Sequence, residues 1–561
     1  MTLPEEDGVP EKCFVHPQTS RFFNTFYFYA YGNTPPSDLL QHVPHDAVRA
    51  DILSLGCGDI RDLLYSIVLH GRRGVSCGTE PRQLTFTLND WEPAIHARNL
   101  VMLQLILESR NLLEPANANP EVRSNTTAGS RTGPACSEGS QGGQESNAAF
   151  AQRIGVIFSA MYNVFVDADV LNTTQDVAGR LAASLVSSEE WTSTELGRLV
   201  HFADDRSQYR VRDILALYAD TGLQKRVPAP KVKKQRSSFI SKKISKGGIF
   251  WSRAMGLSSI GQDHNSCQAY NEMVHKYLAE GILDPFPLLL ADEKAPLKRA
   301  PSKLVNPLLL VTERKGTAYS LHYGSFPLDA FHTEVASWKL RDEIFQDKHN
   351  KLAPRVLKER VVKTRSCKAG RSTASSRRSE QDARFCAALE QLAQMCAGFL
   401  EATRIAPAES GASIASASPH LRMNIHVGDA IDFCDAILAS SVTAGAPEGS
   451  VRPGASNSDS LTFEGIAFQQ GTLQPFRLRK DTFWGLRTEF DVISTGNLAE
   501  HLGIVNLLVG TAPLLRPQSH AVLLTSFMAF VSTLHLYKDT GAFYKKLLCM
   551  TSQAAALLLG M

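Results

Sequence analysis

Four consecutive residues, Gly56, Cys57, Gly58 and Asp59, follow the apolar run Ile52 to Leu55 and precede a helical pattern that begins at Arg61. Glycines at the end of a strand let the backbone turn tightly and let a ligand approach the main chain with no Cβ in between. That is the chemistry of holding a nucleotide-type cofactor. A pyrophosphate site would carry Gly-x-Gly-x-x-Gly and leave the helix N-terminus free for an anion. Here Asp59 stands at that terminus and Asp62 lies in the first turn. Two carboxylates repel phosphate, which leaves a phosphate-free adenosyl ligand such as S-adenosylmethionine, or a purely structural turn with no ligand.

A second candidate, Asp90, ends the alternating run Leu84-Thr85-Phe86-Thr87-Leu88-Asn89. In a doubly wound sheet an acid at the tip of the second strand faces the ligand crevice and accepts hydrogen bonds from both ribose hydroxyls. Asp90 lies 34 residues beyond Gly56, longer than the usual spacing of about 20, and a loop over residues 71–82 accounts for the excess. The competing reading is an Asn-Asp turn that caps the next helix.

These residues need a parallel sheet with helices on its faces. Strands are expected at 52–55 and 84–88, with helices at 61–68 and 91–109; Ile95, Leu100, Leu103 and Leu107 recur at helical spacing. The aromatic cluster Phe22, Phe23, Phe26, Tyr27, Phe28, Tyr29 and Tyr31 reads as core rather than ligand stacking. With 561 residues, 43% hydrophobic and 20% charged, the chain is globular and long enough for a large core. A net charge of +3 gives no global field for nucleic acid. The N-terminus has no secretory pattern and the apolar runs at 100–107 and 520–530 are too short or too rich in Ser and Thr to span a bilayer. The expectation is a soluble, cytoplasmic protein without a membrane segment. Its 10 cysteines show no Cys-x-x-Cys and no Cys/His ligand spacing, so no metal is expected.

Residues 114–148 are rich in Asn, Ser, Gly, Thr and Gln and read as a disordered insertion. From 149 to 221 the pattern is helical. Lys225 to Lys246 holds nine Lys or Arg and no acid, and Lys351 to Arg378 holds ten against Glu359 alone. Both read as solvated linkers; neither has the aromatic interleaving that stacks bases. A turn-rich segment at 320–332 is a candidate loop near the crevice. Gln381 to Arg404 reads as an amphipathic helix in which Cys386 and Cys396 are core thiols.

Strand followed by acid then returns. Met423 to Val427 runs into Gly428-Asp429-Ala430 and a helix at 431–439; Phe490 to Ser494 leads to Thr495-Gly496-Asn497-Leu498 and another helix; Ala521 to Leu524 is a third apolar run. This ordered set resembles the class I S-adenosylmethionine-dependent methyltransferase fold, interrupted by about 300 residues. The resemblance implies a Rossmann-like, mostly parallel α/β sheet carrying a large, mainly helical insertion. It assigns Gly56, Cys57, Gly58 and Asp59 to the turn under the cofactor, Asp90 to the ribose, Asp429 to the adenine amine, and Asn497, with His501, to the neighbourhood of the reacting centre. Asn497 reads equally as a helix cap. Ser54 stands where such enzymes place an acid and Ile60 where they place a third glycine, and no amine-methylating motif follows Phe490.

A closer likeness rests on Tyr31-Gly32-Asn33-Thr34-Pro35, Leu55-Gly56-Cys57-Gly58-Asp59-Ile60-Arg61, Leu88 to Glu92 with His96 to Asn99, Tyr323-Gly324-Ser325, and Ser494 to Gly503. These resemble the domain-of-unknown-function family shared by dynein axonemal assembly factor 3 and MYND-finger-associated proteins. That resemblance implies a cytoplasmic assembly factor with protein partners such as chaperones or dynein subunits. The chain departs from the MYND-associated members in lacking a Cys/His finger, and it ends after the helical pattern 544–559 without an obvious closing element, as a truncated C-terminus would.

The organisation expected is a tail at 1–19, the first part of a methyltransferase-like domain at 20–110, a disordered insertion at 111–148 and a helical insertion at 149–221. A basic linker at 222–250, a mixed insertion at 251–350, a basic Ser-rich linker at 351–380, a helix at 381–405 and a spacer at 406–418 precede the second part at 419–561. Three functions are carried forward: an assembly or adaptor factor on this scaffold, an active methyltransferase of unknown acceptor, and a nucleic-acid-associated protein using the two basic stretches.

Overall fold

A strand buried on both faces reads as an uninterrupted apolar run, and Ile52, Leu53 and Leu55 are all fully buried in the strand Arg49–Leu55 (β1). Alternation then sends neighbouring side chains to opposite faces of the sheet. Ile52 joins the larger core with Leu63, Phe86 and Leu392, whereas Leu53 and Leu55 join a smaller one with Phe433, Ile437 and Leu514. Burying each such side chain stabilises the fold by about 1.5–3 kcal/mol.

The computed structural model describes residues 30–32, 35–77, 82–113, 141–234, 236–237, 264–289, 303–312, 319–321, 326–331, 374–403, 420–444, 463–469, 472–478, 488–496, 498–502 and 504–526. The aromatic cluster at 22–29, residues 114–140, the basic residues at 242–246 and 351–373, the spacer, Tyr323 to Ser325, Asn497 and the 544–559 pattern lie outside them.

Five further strands join β1: Gln83–Asp90 (β2), Val200–Phe202 (β3), Leu421–Val427 (β4), Val492–Ser494 (β5) and Val522–Leu524 (β6). The order across the sheet is β6-β5-β1-β2-β4-β3 and every pairing is parallel. The chain therefore builds outward from β1 on one side, then returns to its other side with β5. This reversal beside β1 is the topological switch of a Rossmann-like α/β fold, where ligand crevices form at the carboxyl ends of the strands. The five strands expected from the sequence all lie in this one sheet.

Helices follow Rossmann logic. Arg61–Cys77 (α1) leaves the glycine turn, and Pro93–Leu107 (α2) follows β2 with Pro93 in its first turn and the Glu92 side chain accepting from the Ala94 N–H. Between β2 and β4 come Gln141–Tyr162 (α3), Ala168–Ser184 (α4), Asp205–Ala219 (α5), His264–Glu280 (α6) and Ala374–Ala402 (α7). Ala430–Ala444 (α8) and Ile504–Thr511 (α9) complete the set discussed below. Among the described residues no helix is long and apolar enough to cross a membrane.

Residues 223–234, read as part of a solvated basic linker, instead bury Leu223, Val227 and Val232 in the core, and the buried Arg236 donates to the Tyr277 carbonyl at 2.6 Å, because apolar side chains between the basic ones can reach the core. Four more differences stand beside it. Helix α1 runs on to Cys77 through Gly71 and Gly74, where a loop was expected, because isolated glycines weaken but do not stop a helix. Residues 141–148, read as part of the disordered insertion, are the first turns of α3. Val200–Phe202, read as helical, is a strand because β4 offers it an open edge and its β-branched and aromatic side chains suit one. Helix α7 has no wet face along 383–397, where even Arg384, Glu390, Gln391 and Gln394 are buried. Amphipathic periodicity reports polar residues, not where they end up. Cys386 and Cys396 are buried free thiols in the core, as expected.

Candidate functional site at the carboxyl edge of the sheet

The parallel register brings the strand ends level. Leu55 stands opposite Asn89, Asp90 opposite Val427, and Ser54 opposite Ser494. Gly56, Cys57, Gly58, Asp59, Asp90 and Asp429 therefore emerge along one edge. Gly496 and Leu498 emerge there too, flanking Asn497, which lies outside the described residues as does the side chain of His501.

Gly56 and Gly58 turn the chain with φ of 61° and 56°, a left-handed conformation that L side chains rarely adopt. Between them the Cys57 N–H donates to the Asn89 carbonyl at 2.9 Å, which extends the β1–β2 ladder by one bond. Gly58 is clamped at both ends: its N–H donates to Asp90 Oδ2 at 3.0 Å, and its carbonyl accepts from Asn99 Nδ2 at 2.9 Å. A third positive-φ glycine, Gly496 with φ of 49°, sits across the switch point, where a Cβ on it would lie 3.6 Å from the Gly56 carbonyl oxygen.

The carboxylates are occupied by the protein's own groups. Asp90 also takes the Glu92 N–H on Oδ1 at 3.0 Å, so it fixes the residue whose own side chain caps α2 while it holds the glycine turn. Burial pushes its pKa up against the opposing pull of the Glu92, Gly58 and Trp91 amides. Asp429 caps α8, with Oδ1 accepting from Ile431 N–H at 2.8 Å and Asp432 N–H at 3.2 Å. Asp59 faces away from any anion site: Oδ2 accepts from the Gly32 N–H at 2.7 Å and Oδ1 from Arg61 Nε at 2.7 Å. Burial would raise the Asp59 pKa, but the Arg61 and Arg98 guanidinium groups hold it below the usual carboxylate range.

This explains the Gly-Cys-Gly-Asp-x-Arg string locally. Arg61 lies directly over Gly32, which has no room for a Cβ, and the Asp59–Arg61 pair pins the Tyr31-Gly32 segment to the start of α1. Beside it Arg98 is buried with its guanidinium 5.6 Å from the Tyr31 ring and 6.0 Å from that of Tyr162. Burial first, then the neighbouring Asp90 and Asp59 charges, push the Cys57 thiol pKa well up, which disfavours the reactive thiolate.

Several contacts of the edge carried no sequence signal, although His96 and Asn99 lie in the stretch that carries the family likeness. Asn99 reaches Gly58 across 41 positions. His426 accepts on Nδ1 from Asn89 Nδ2 at 2.9 Å, which fixes its proton on Nε2, and its ring stacks on Phe433 at 4.1 Å. His96 Nε2 donates to the His426 carbonyl at 3.1 Å. Burial pushes the pKa of both histidines down to about 3, so both are neutral. Such contacts follow from strand order, which side-chain types alone do not encode.

Comparison with known proteins gives one family match. Residues 30–122 match the family model described as Domain of unknown function (DUF4470), a span that holds β1, the glycine turn, β2, Asp90 and α2. No curated protein matches the chain, and no solved structure does.

Proposed function

We propose that this chain is a methyltransferase-like scaffold acting as an intracellular, cytoplasmic assembly or adaptor factor, similar to the dynein axonemal assembly factor family, with protein partners of the chaperone or dynein-subunit kind. The observation that carries this reading is the engagement of both crevice carboxylates by the protein's own backbone: Asp90 by Gly58 and Glu92, Asp429 by Ile431 and Asp432. A ribose or an adenine would have to share or displace those bonds. The protonated Cys57 thiol and the neutral, buried His96 and His426 add neither a nucleophile nor a base exposed to a bound ligand. The helices inserted between β2 and β4 supply surface for partners.

A second reading, an S-adenosylmethionine-dependent methyltransferase of unknown acceptor, is favoured by the strand order and by the space beside Gly58, where an added Cβ would meet nothing within 4 Å among the described residues. Calorimetric titration of the purified protein with S-adenosylmethionine and S-adenosylhomocysteine separates the two. The scaffold reading expects no micromolar binding by the folded protein. Micromolar binding weakened by about one to two decades in both Asp90→Ala and Asp429→Ala, the cost of a charge-assisted hydrogen bond, would place the enzyme reading first.

A further inference from the structure

The two glycines of the turn face different surroundings. A Cβ on Gly56 would lie 3.0 Å from both Cγ and Cδ2 of Leu498, so the isobutyl group sits directly on that glycine, whereas a Cβ on Gly58 would meet nothing within 4 Å among the described residues. Leu498 is fixed from behind. Its N–H donates to the Thr495 carbonyl at 2.9 Å, its carbonyl accepts from the Leu502 N–H at 2.8 Å, and its side chain packs with Ile431, Ala499 and Leu507. The crevice floor is thereby divided into an apolar, filled half over Gly56 and an open half over Gly58 bordered by Asp90.

The open half has the chemistry of a diol site. A carboxylate has about four lone-pair positions and the Gly58, Glu92 and Trp91 amides draw on three of them, so Asp90 can accept one ribose hydroxyl outright and its vicinal neighbour by sharing the position of the Trp91 amide. Asp90, the carboxylate that borders this half, disfavours a phosphate on the ligand, whereas Asp59 is paired with Arg61 and Asp62 accepts the Ser37 N–H. The filled half excludes a different group. A methionyl tail laid over Gly56 needs the volume of the isobutyl group, and its ammonium and carboxylate would lose water against an apolar side chain that returns no hydrogen bond.

We propose that the crevice takes a nucleoside with a free 2′,3′-diol and a short, uncharged 5′ end, such as adenosine or 5′-methylthioadenosine, and that Leu498 is the residue that excludes the zwitterionic tail of S-adenosylmethionine. This rests on the adenosyl half of the second reading and parts from that reading over the methionyl tail. Leu498 acts by occupying space, so its removal restores the tail's room without touching the diol contact.

The test is calorimetric titration of the full chain with adenosine, 5′-methylthioadenosine and S-adenosylhomocysteine, in the wild type and in Leu498→Ala. The wild type is expected to bind both short nucleosides at least about tenfold tighter than S-adenosylhomocysteine, the scale on which a pocket rejects an oversized group. Leu498→Ala is expected to bring S-adenosylhomocysteine level with them while leaving their own affinities unchanged. Equal binding of all three by the wild type overturns the exclusion without any variant. An unchanged ratio in a Leu498→Ala protein with wild-type circular dichroism overturns it equally. If none of the three binds the folded wild type, the adenosyl reading itself falls and the inference falls with it.

Discussion

The Gly58 N–H and the Asp90 carboxylate, 32 residues apart in the chain, meet at 3.0 Å where β1 and β2 end side by side. One acid therefore holds the glycine turn shut and fixes Glu92, the cap of α2. Replacing Asp90 by Ala leaves the Gly58 and Glu92 amides without their acceptor, at a cost of about 1–3 kcal/mol. Asp90→Asn keeps one carbonyl oxygen and should lose about half as much. Urea unfolding midpoints of the two variants check this order; equal losses would count against the shared role.

The turn makes its two glycines unequal. Alanine at either position takes on a left-handed backbone at about 1–2 kcal/mol, but only Gly56→Ala also collides with Leu498. Gly56→Ala is expected to destabilise more than Gly58→Ala, and the excess should vanish in a Leu498→Ala background. A double-mutant cycle read by thermal melting measures that coupling; a coupling of zero would contradict the contact.

At the opposite end of the sheet, Arg516 bridges two buried carboxylates. Its Nη1 donates to Asp491 at 2.6 Å, its Nη2 pairs with Asp51, and Asp51 also takes Arg49 Nη2 at 2.6 Å. Asp491 Oδ2 accepts the Asp51 N–H at 2.8 Å, which ties β1 to the start of β5. Removing Arg516 leaves the buried Asp491 without its guanidinium while Asp51 keeps Arg49, so Arg516→Ala should cost about 3–5 kcal/mol. The denaturant midpoint is the readout, and a loss below about 1 kcal/mol, the worth of an exposed pair, would show that water replaces the guanidinium.

Acid should weaken the fold through His96 and His426. Both titrate near 3 when folded because burial disfavours their charged form, and near 6.5 when unfolded. Between those values the unfolded chain holds the extra protons, so stability falls as pH drops, by about 1.4 kcal/mol per unit for each histidine. Asp62 works the other way. Burial raises it to about 6, so the folded state holds its proton between about 4 and 6 and offsets one histidine there. The net expectation from these groups is a loss of about 1.4 kcal/mol per unit from pH 6 to 5. In His426→Asn that slope should approach zero, and an unaltered slope in urea titrations would refute the assignment.

Much of the scaffold was legible because its signals are local. Ile52 to Leu55, Leu84 to Leu88, Met423 to Val427 and Phe490 to Ser494 announce buried strands by composition alone, Ala521 to Leu524 announces a strand that is only half-buried, and the glycines at 56 and 58 announce the turn. The polar residues of α7 misled for the same reason. Arg384 and Glu390 look like a solvent face, yet the inserted helices bury them.

The sequence by itself determined the buried strands, their order along the chain and the glycine turn, since periodicity and backbone freedom are properties of neighbouring residues. Only the tertiary structure decided that β5 returns to β1, that Val200–Phe202 closes the sheet edge, and that Asp59, Asp90 and Asp429 bond to the protein's own amides and arginine. It alone placed Leu498 on Gly56, 442 positions away. Whether a carboxylate is open to a ligand depends on which donors surround it in space, and those donors come from segments hundreds of residues apart.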